Sequence, residues 1–90
     1  MLRETYHPNA YLANVRNIRR GLRARTKVLN VLEKGSGDAK TIVQEAALHY
    51  GVVMHHLKLL QSEGIVRRAG GRPSLWTLTG AGQKRLMSTD

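Results

Sequence analysis

Ninety residues with 15 Lys+Arg against 6 Asp+Glu carry a formal charge of +9 and a pI near 10.9. That length fits one small domain, and so large a positive excess points to a polyanionic partner, nucleic acid before membrane. Cysteine is absent, which excludes disulfides, thiolate metal sites and thiol catalysis, and no apolar run reaches the length of a membrane span.

The first residues lack the apolar core of a signal peptide, so a cytoplasmic, nucleoid-associated protein is expected, with no membrane partner. Residues 1–8 have no period and end at Pro8, as a loose arm would. From Asn9, a possible cap, the residues Leu12, Val15, Ile18 and Leu22 recur on one face and predict a helix over about 9–20. Arg16, Arg19, Arg20 and Arg23 fall on its other faces, and Gly21 marks its end or a kink. Residues 9–22 are therefore expected as a basic N-terminal helix.

A second helix is predicted from about Arg23 to Lys34, with Val28, Leu29, Val31 and Leu32 inside and Gly35-Ser36-Gly37 ending it. Asp38 is a good cap for a short helix from Ala39 to about Ala47 that buries Ile42, Val43 and Ala46. A turn through Leu48 leads to a helix over roughly Tyr50–Glu63, stopped by Gly64. Strands Ile65–Arg68 and Leu75–Leu78 then flank Gly70-Gly71-Arg72-Pro73, a hairpin tip. Thr79 could cap a last short helix over Ala81–Met87. The order is helices, a helix-turn-helix, a two-stranded ribbon and a helix, so the fold class is α+β and mainly helical.

On the 50–63 helix, Val53, Leu57 and Leu60 form an inward stripe, with His56 and Leu59 on its flank. Gly51, Met54, His55 and Lys58 face outward, and His49 and Tyr50 open the helix. This outer face is cationic and hydrogen-bonding, with almost no acid. Lys58 suits a phosphate or a guanine edge, His55 can donate or accept, and Met54 offers apolar contact to a thymine methyl. Arg67, Arg68 and Arg72 cluster at the hairpin, where arginine suits the flanking backbone or a narrow minor groove. Arg16 and Arg20 would extend the electrostatic footprint.

Some residues admit more than one reading. Trp76 either packs against the helices, with Val66 and Leu78 also inward, or stacks on bases, a role that usually takes several aromatics. The N-terminal basic segment either dimerises through Leu12, Val15, Ile18 and Leu22, packs on its own domain with solvated arginines, or lies on an anionic membrane. His55 and His56 are adjacent and point about 100° apart, so one helix face cannot offer both to one metal ion. No spacing of His and acids suits a metal, and a metal site could form only across a dimer. No catalytic arrangement or phosphate loop is legible, so an enzyme is the weakest class, and no cofactor is implied. No appended sensor domain leaves room for a small-ligand pocket.

The run IVQEAALHYGVVMHHLKLLQSEGIVRR resembles the helix-turn-helix of winged-helix transcription regulators, especially the ArsR-like and MarR-like groups. Val53, His56, Leu57, Lys58, Leu60, Gly64, Ile65 and Val66 fall on its most recognisable positions, and LTGAGQKRL resembles the close that follows the second wing strand. The likeness covers roughly residues 24–86. It implies a winged helix-turn-helix unit over 23–88 behind an extra N-terminal helix. It further implies a homodimeric, sequence-specific duplex-DNA-binding regulator of transcription, with helix 50–63 in the major groove. An architectural DNA-binding protein and a winged-helix protein-interaction module are the alternatives. The chain departs from the pattern at Ala47, which stands where the turn glycine usually does and is penalised if φ is positive there. His49, Gly51 and Val52 also replace the usual serine cap and Ser-Thr.

Overall fold

The computed structural model describes residues 5–80, in which α1 (Arg19–Glu33), α2 (Ala39–Ala46) and α3 (Tyr50–Ser62) precede β1 (Val66–Ala69) and β2 (Leu75–Leu78). The first helix is the hub, packing against both other helices and β2. Its apolar stripe of Leu22, Val28, Leu29 and Leu32 meets Ile42 and Ala46 of α2 and Val53, Leu57 and Leu60 of α3 in one core. Ile65, Val66 and Trp76 close that core from the hairpin side.

The helix-turn-helix forms as its residues dictate. The Asp38 carboxylate accepts the Thr41 N–H at 2.8 Å and caps α2. At the other end Ala47 adopts φ 56°, ψ 46°, the left-handed conformation anticipated for the residue in the glycine position. Gly64 closes α3 at φ +74°, with the Ile65 N–H returning to the Leu60 carbonyl at 3.0 Å. That bond keeps Ile65 in the helix terminus, so β1 starts one residue later than the pattern of the sequence suggests.

The strands pair antiparallel, with Val66 opposite Leu78, Arg67 opposite Thr77, Arg68 opposite Trp76 and Ala69 opposite Leu75. Gly37 adds a short third pairing, exchanging backbone bonds of 2.8 and 3.1 Å with Trp76. Three helices and a twisted hairpin in this order make a winged helix. The helix expected over Ala81–Met87, and with it the end of the 23–88 unit, lies outside the described residues.

The N-terminal segment differs from the expectation. It is not helical from Asn9; a 3-10 turn over Pro8–Ala10 leads into extended and bent chain up to Ile18, where the cap of α1 falls. The expected helices over 9–20 and 23–34 are thus one helix and an irregular strap. Side chains take the backbone groups that a helix would have used. The Asn17 side chain bridges Leu12, accepting its N–H at 2.9 Å and donating to its carbonyl at 2.8 Å. The Glu63 carboxylate accepts the Ala13 and Asn14 N–H groups at 2.7 and 2.9 Å, and Thr26 Oγ1 accepts the His7 N–H at 2.9 Å. Leu12, placed on the expected dimer stripe, is buried in the protein's own core, as is Leu22. Val15 is half-buried, and of the four only Ile18 is exposed.

Candidate nucleic-acid interface

Helix α3 buries Val53, His56, Leu57 and Leu60 and leaves Tyr50, Gly51, His55 and Lys58 exposed, with Met54 half-buried. His49 precedes it as an exposed cap whose side chain makes no capping bond, and no acid occupies the first turn. The free N–H groups there, at the positive end of the helix dipole, favour an anion.

The hairpin stands beside this face. Tyr50 and Met54 share a shallow groove of about 380 Å³ with Arg68, Pro73, Ser74 and Trp76, closed by the start of α2. Trp76 is 2% exposed, which settles its role as packing. The outer side of its ring carries the Arg68 guanidinium, 5.9 Å from the ring centre. The register explains this, because Arg68 lies directly opposite Trp76 and shares its face. Arg67 pairs with Thr77 on the other face, and Arg72 is exposed in the loop between the strands. The wing arginines therefore diverge instead of forming one cluster. Lys40, exposed in the first turn of α2 and lining the same groove, escaped the sequence reading. A cation in a helix's first turn opposes the dipole, and that local misfit was the available signal.

The acidic groups of the described residues are engaged within the fold, including Asp38, which lines the groove. Glu63 holds the N-terminal strap, and Glu33 lies 3.2 Å from His7 Nε2. Glu45 stands 3.9 Å from Lys34, and Asp38 caps α2. Arg16, Arg19 and Arg20 are exposed at the approach to α1. Lys58, Arg67, Arg68 and Arg72 have no acidic partner among the described residues.

Arg25, unlike the exposed Arg16, Arg19, Arg20 and Arg23, is only 2% exposed. Its Nε donates to the Ala10 carbonyl at 2.6 Å, its Nη2 donates to Asn17 Oδ1 at 3.1 Å, and its Nη1 lies 3.4 Å from His56 Nδ1. Burial lowers its pKa, an effect that the Glu63 charge partly offsets. Burial, then Arg25, then His55 push the His56 imidazole down to about 4. His56 is therefore neutral at neutral pH, and its Nδ1 can accept from Arg25. The spacing of Leu22, Arg25, Leu29 and Leu32 does place Arg25 on the core stripe, so its burial was legible. At the N-terminus, His7 Nδ1 accepts the Asn9 N–H at 3.0 Å, which leaves Nε2 protonated toward Glu33. Among the described residues there is no group of three or more metal-ligating side chains. No helix described is long and apolar enough to cross a membrane.

No family model matches the sequence, and neither does any curated protein. Solved structures do match. The Zalpha domain of Carassius auratus PKZ, crystallised in complex with Z-DNA, aligns with TM-score 0.59 and 30% identity over 62% of this chain and 92% of that one. A MarR-family transcriptional regulator from Silicibacter pomeroyi aligns with TM-score 0.66 and 26% identity over 72% of this chain and 47% of its own. Bordetella bronchiseptica BpsR, whose DNA binding is regulated by 6-hydroxynicotinic acid, shares the fold with TM-score 0.68 and 19% identity, over 84% of this chain and 54% of BpsR. The chain is thus a winged helix-turn-helix domain. Within the expected resemblance, the MarR side is the one these structures support, and the chain spans about half the length of those regulators.

Proposed function

We propose that the protein is a double-stranded-DNA-binding regulator of transcription that sets α3 into the major groove. The observation that carries this reading is that Lys58, Arg67, Arg68 and Arg72 are exposed on α3 and the hairpin with no acidic partner among the described residues, while Asp38, the acid beside them in the groove, is engaged as the cap of α2. Lys58, His55 and Met54 meet bases or phosphates, and His49, Tyr50 and Gly51 bring the helix start close to the backbone. Arg67, Arg68 and Arg72 hold flanking phosphates or the minor groove, and Arg16 and Arg20 extend the footprint. The active species is a homodimer on a twofold site, as is common for this kind of module. Its interface uses surfaces other than Leu12 and Leu22, which are internal.

The test is selection of bound fragments from random duplexes at two salt concentrations. Enrichment of a palindrome at least ~10³-fold tighter than random DNA supports a sequence-specific regulator. Tight but unselective binding assigns an architectural role, and no binding at low salt refutes the reading. Lys58→Ala and Arg68→Ala should each lower the salt slope by about one unit per lost phosphate contact. Unchanged slopes remove both residues from the interface. The likeness to a domain crystallised with Z-DNA favours a second reading, in which the same surface takes a left-handed duplex. Conversion of an alternating CG duplex to the left-handed form on adding protein, followed by circular dichroism, distinguishes the two.

A further inference from the structure

The described strap before α1 contains one 3-10 turn and otherwise neither helix nor strand, so side chains hold it in place. Two histidines belong to those anchors, and the geometry needs each in its neutral form. At the start of the strap, His7 Nδ1 accepts the Asn9 N–H at 3.0 Å, while the Nε2 proton points to Glu33, 3.2 Å away. In α3, His56 Nδ1 lies 3.4 Å from Arg25 Nη1, and a guanidinium can only donate. Arg25 in turn holds the Ala10 carbonyl at 2.6 Å and Asn17 Oδ1 at 3.1 Å. That same Asn17 oxygen accepts the Leu12 N–H at 2.9 Å.

A second proton on either ring lands on the nitrogen that is accepting. At His7 it sets N–H against N–H and removes the Asn9 bond. The Glu33 charge favours that proton, but burial outweighs it and keeps the His7 pKa below the ordinary histidine value. At His56 the proton sets one buried cation against another. Around this ring stand Arg25, His55 on its own helix, and Arg20, Arg23 and Lys27 along the groove that it lines, none of them acidic. The Glu63 charge reaches Arg25 from the end of α3. Burial and the neighbouring cations hold His56 at about 4.

Which part yields follows from how each is held. Helices α1 and α3 keep their own backbone bonds and share a core, to which the strap adds Ala10 and Leu12 as its buried apolar residues. Segments with few such contacts open first. Turning the Arg25 side chain away from a charged His56 removes the Ala10 and Asn17 bonds together.

We propose that His7 and His56 form a proton-operated latch, whose protonation releases the strap from an otherwise intact winged helix. Release uncovers the part of the core that Ala10 and Leu12 fill. The closed state favours both neutral rings, so closure is strongest above about pH 6.5 and weakens as pH falls below it. This happens before the carboxylate of Glu63, which holds Ala13 and Asn14, reaches its ordinary titration range. The latch does not depend on what α3 binds.

The experiment is amide hydrogen exchange of the full chain between pH 7.5 and pH 5, read by NMR, with each rate divided by the intrinsic rate at that pH. Expected is an opening equilibrium at Leu12, Ala13 and Asn14 that rises about 10-fold over this range. Leu29 and Val53 in the helices should stay at least ~100-fold better protected at both ends of it. In a His7→Asn/His56→Asn double variant the side-chain oxygens accept at any pH, and strap protection should hold constant within about 2-fold. The pH series of the parent decides by itself should the double variant fold poorly. Strap amides protected as well as Leu29 and Val53 overturn the proposal, because strap and helices then open as one unit. Strap protection indifferent to pH overturns it too. So does a double variant with the parent's pH dependence, which hands the effect to the carboxylates.

Discussion

Ala47→Gly should stabilise the protein, and the size of the effect can be worked from the turn between α2 and α3. Ala47 sits at φ 56°, ψ 46°, where an L-residue pays roughly 1–2 kcal/mol for the crowding of its Cβ against the backbone. The residue is exposed, so its methyl group contributes no burial that glycine would forfeit. The turn is held by backbone bonds to the Val43 carbonyl, from the Ala47 N–H and, at 3.3 Å, from the Leu48 N–H; both survive the change. Against the relief of strain stands the greater freedom of glycine in the unfolded chain, about 0.4–1 kcal/mol. The net gain is about 0.5–1 kcal/mol, which for a domain of this size raises the melting temperature by about 3–6 °C. Thermal and urea melts followed by circular dichroism measure it, with the urea m-value unchanged. Ala46→Gly, one residue earlier at a buried helical position, should move the midpoint the opposite way by about 1 kcal/mol or more. A lower midpoint for Ala47→Gly would refute the assignment of strain to this residue.

Three further perturbations test the interior. The His56 pKa of about 4 lies below its unfolded value near 6.5, so the neutral form is the one the fold favours. Stability is then full above pH 6.5 and declines as pH falls toward 4, by about 3 kcal/mol in total. His7, lowered by burial against the opposing pull of Glu33, adds a contribution of the same sign. Melts between pH 7 and pH 4 should show this decline, and His56→Gln should flatten it; an unchanged slope would mean that His56 titrates normally. Arg25→Ala strips the Ala10 carbonyl and Asn17 of their donor and should cost about 3 kcal/mol, with faster hydrogen exchange of the strap. If the midpoint holds, the buried guanidinium is not what anchors the strap. Leu57→Ala empties a fully buried position and should cost about 2–5 kcal/mol. A midpoint within a degree of the parent would mean that the inward face of α3 is misassigned.

The burial pattern of α3 and the hairpin was largely readable because it depends on local rules. Helical spacing separated Val53, Leu57 and Leu60 from Gly51, His55 and Lys58, and strand alternation turned Arg67 outward while Trp76 went in. Even the strain at Ala47 was visible as an alanine where the motif places glycine. That Arg68 lies opposite Trp76 was not visible, because the cross-strand partner of each residue depends on the register closed by the turn.

The N-terminal third shows the limit more sharply. Leu12, Val15, Ile18 and Leu22 carry a helical period, and composition and charge were compatible with a helix that pairs with another chain. What decides otherwise is that Glu63, Asn17, Thr26 and Arg25 reach this strap from distant or non-helical positions and satisfy its backbone. The sequence by itself determined the helix-turn-helix, its caps and the charge of its outer face, since those rest on contacts a few residues apart. Only the tertiary structure decided that the chain before α1 is an irregular strap and that Leu12 and Leu22 belong to the core. Each of these depends on contacts between residues far apart in the chain, whose partners no local pattern names.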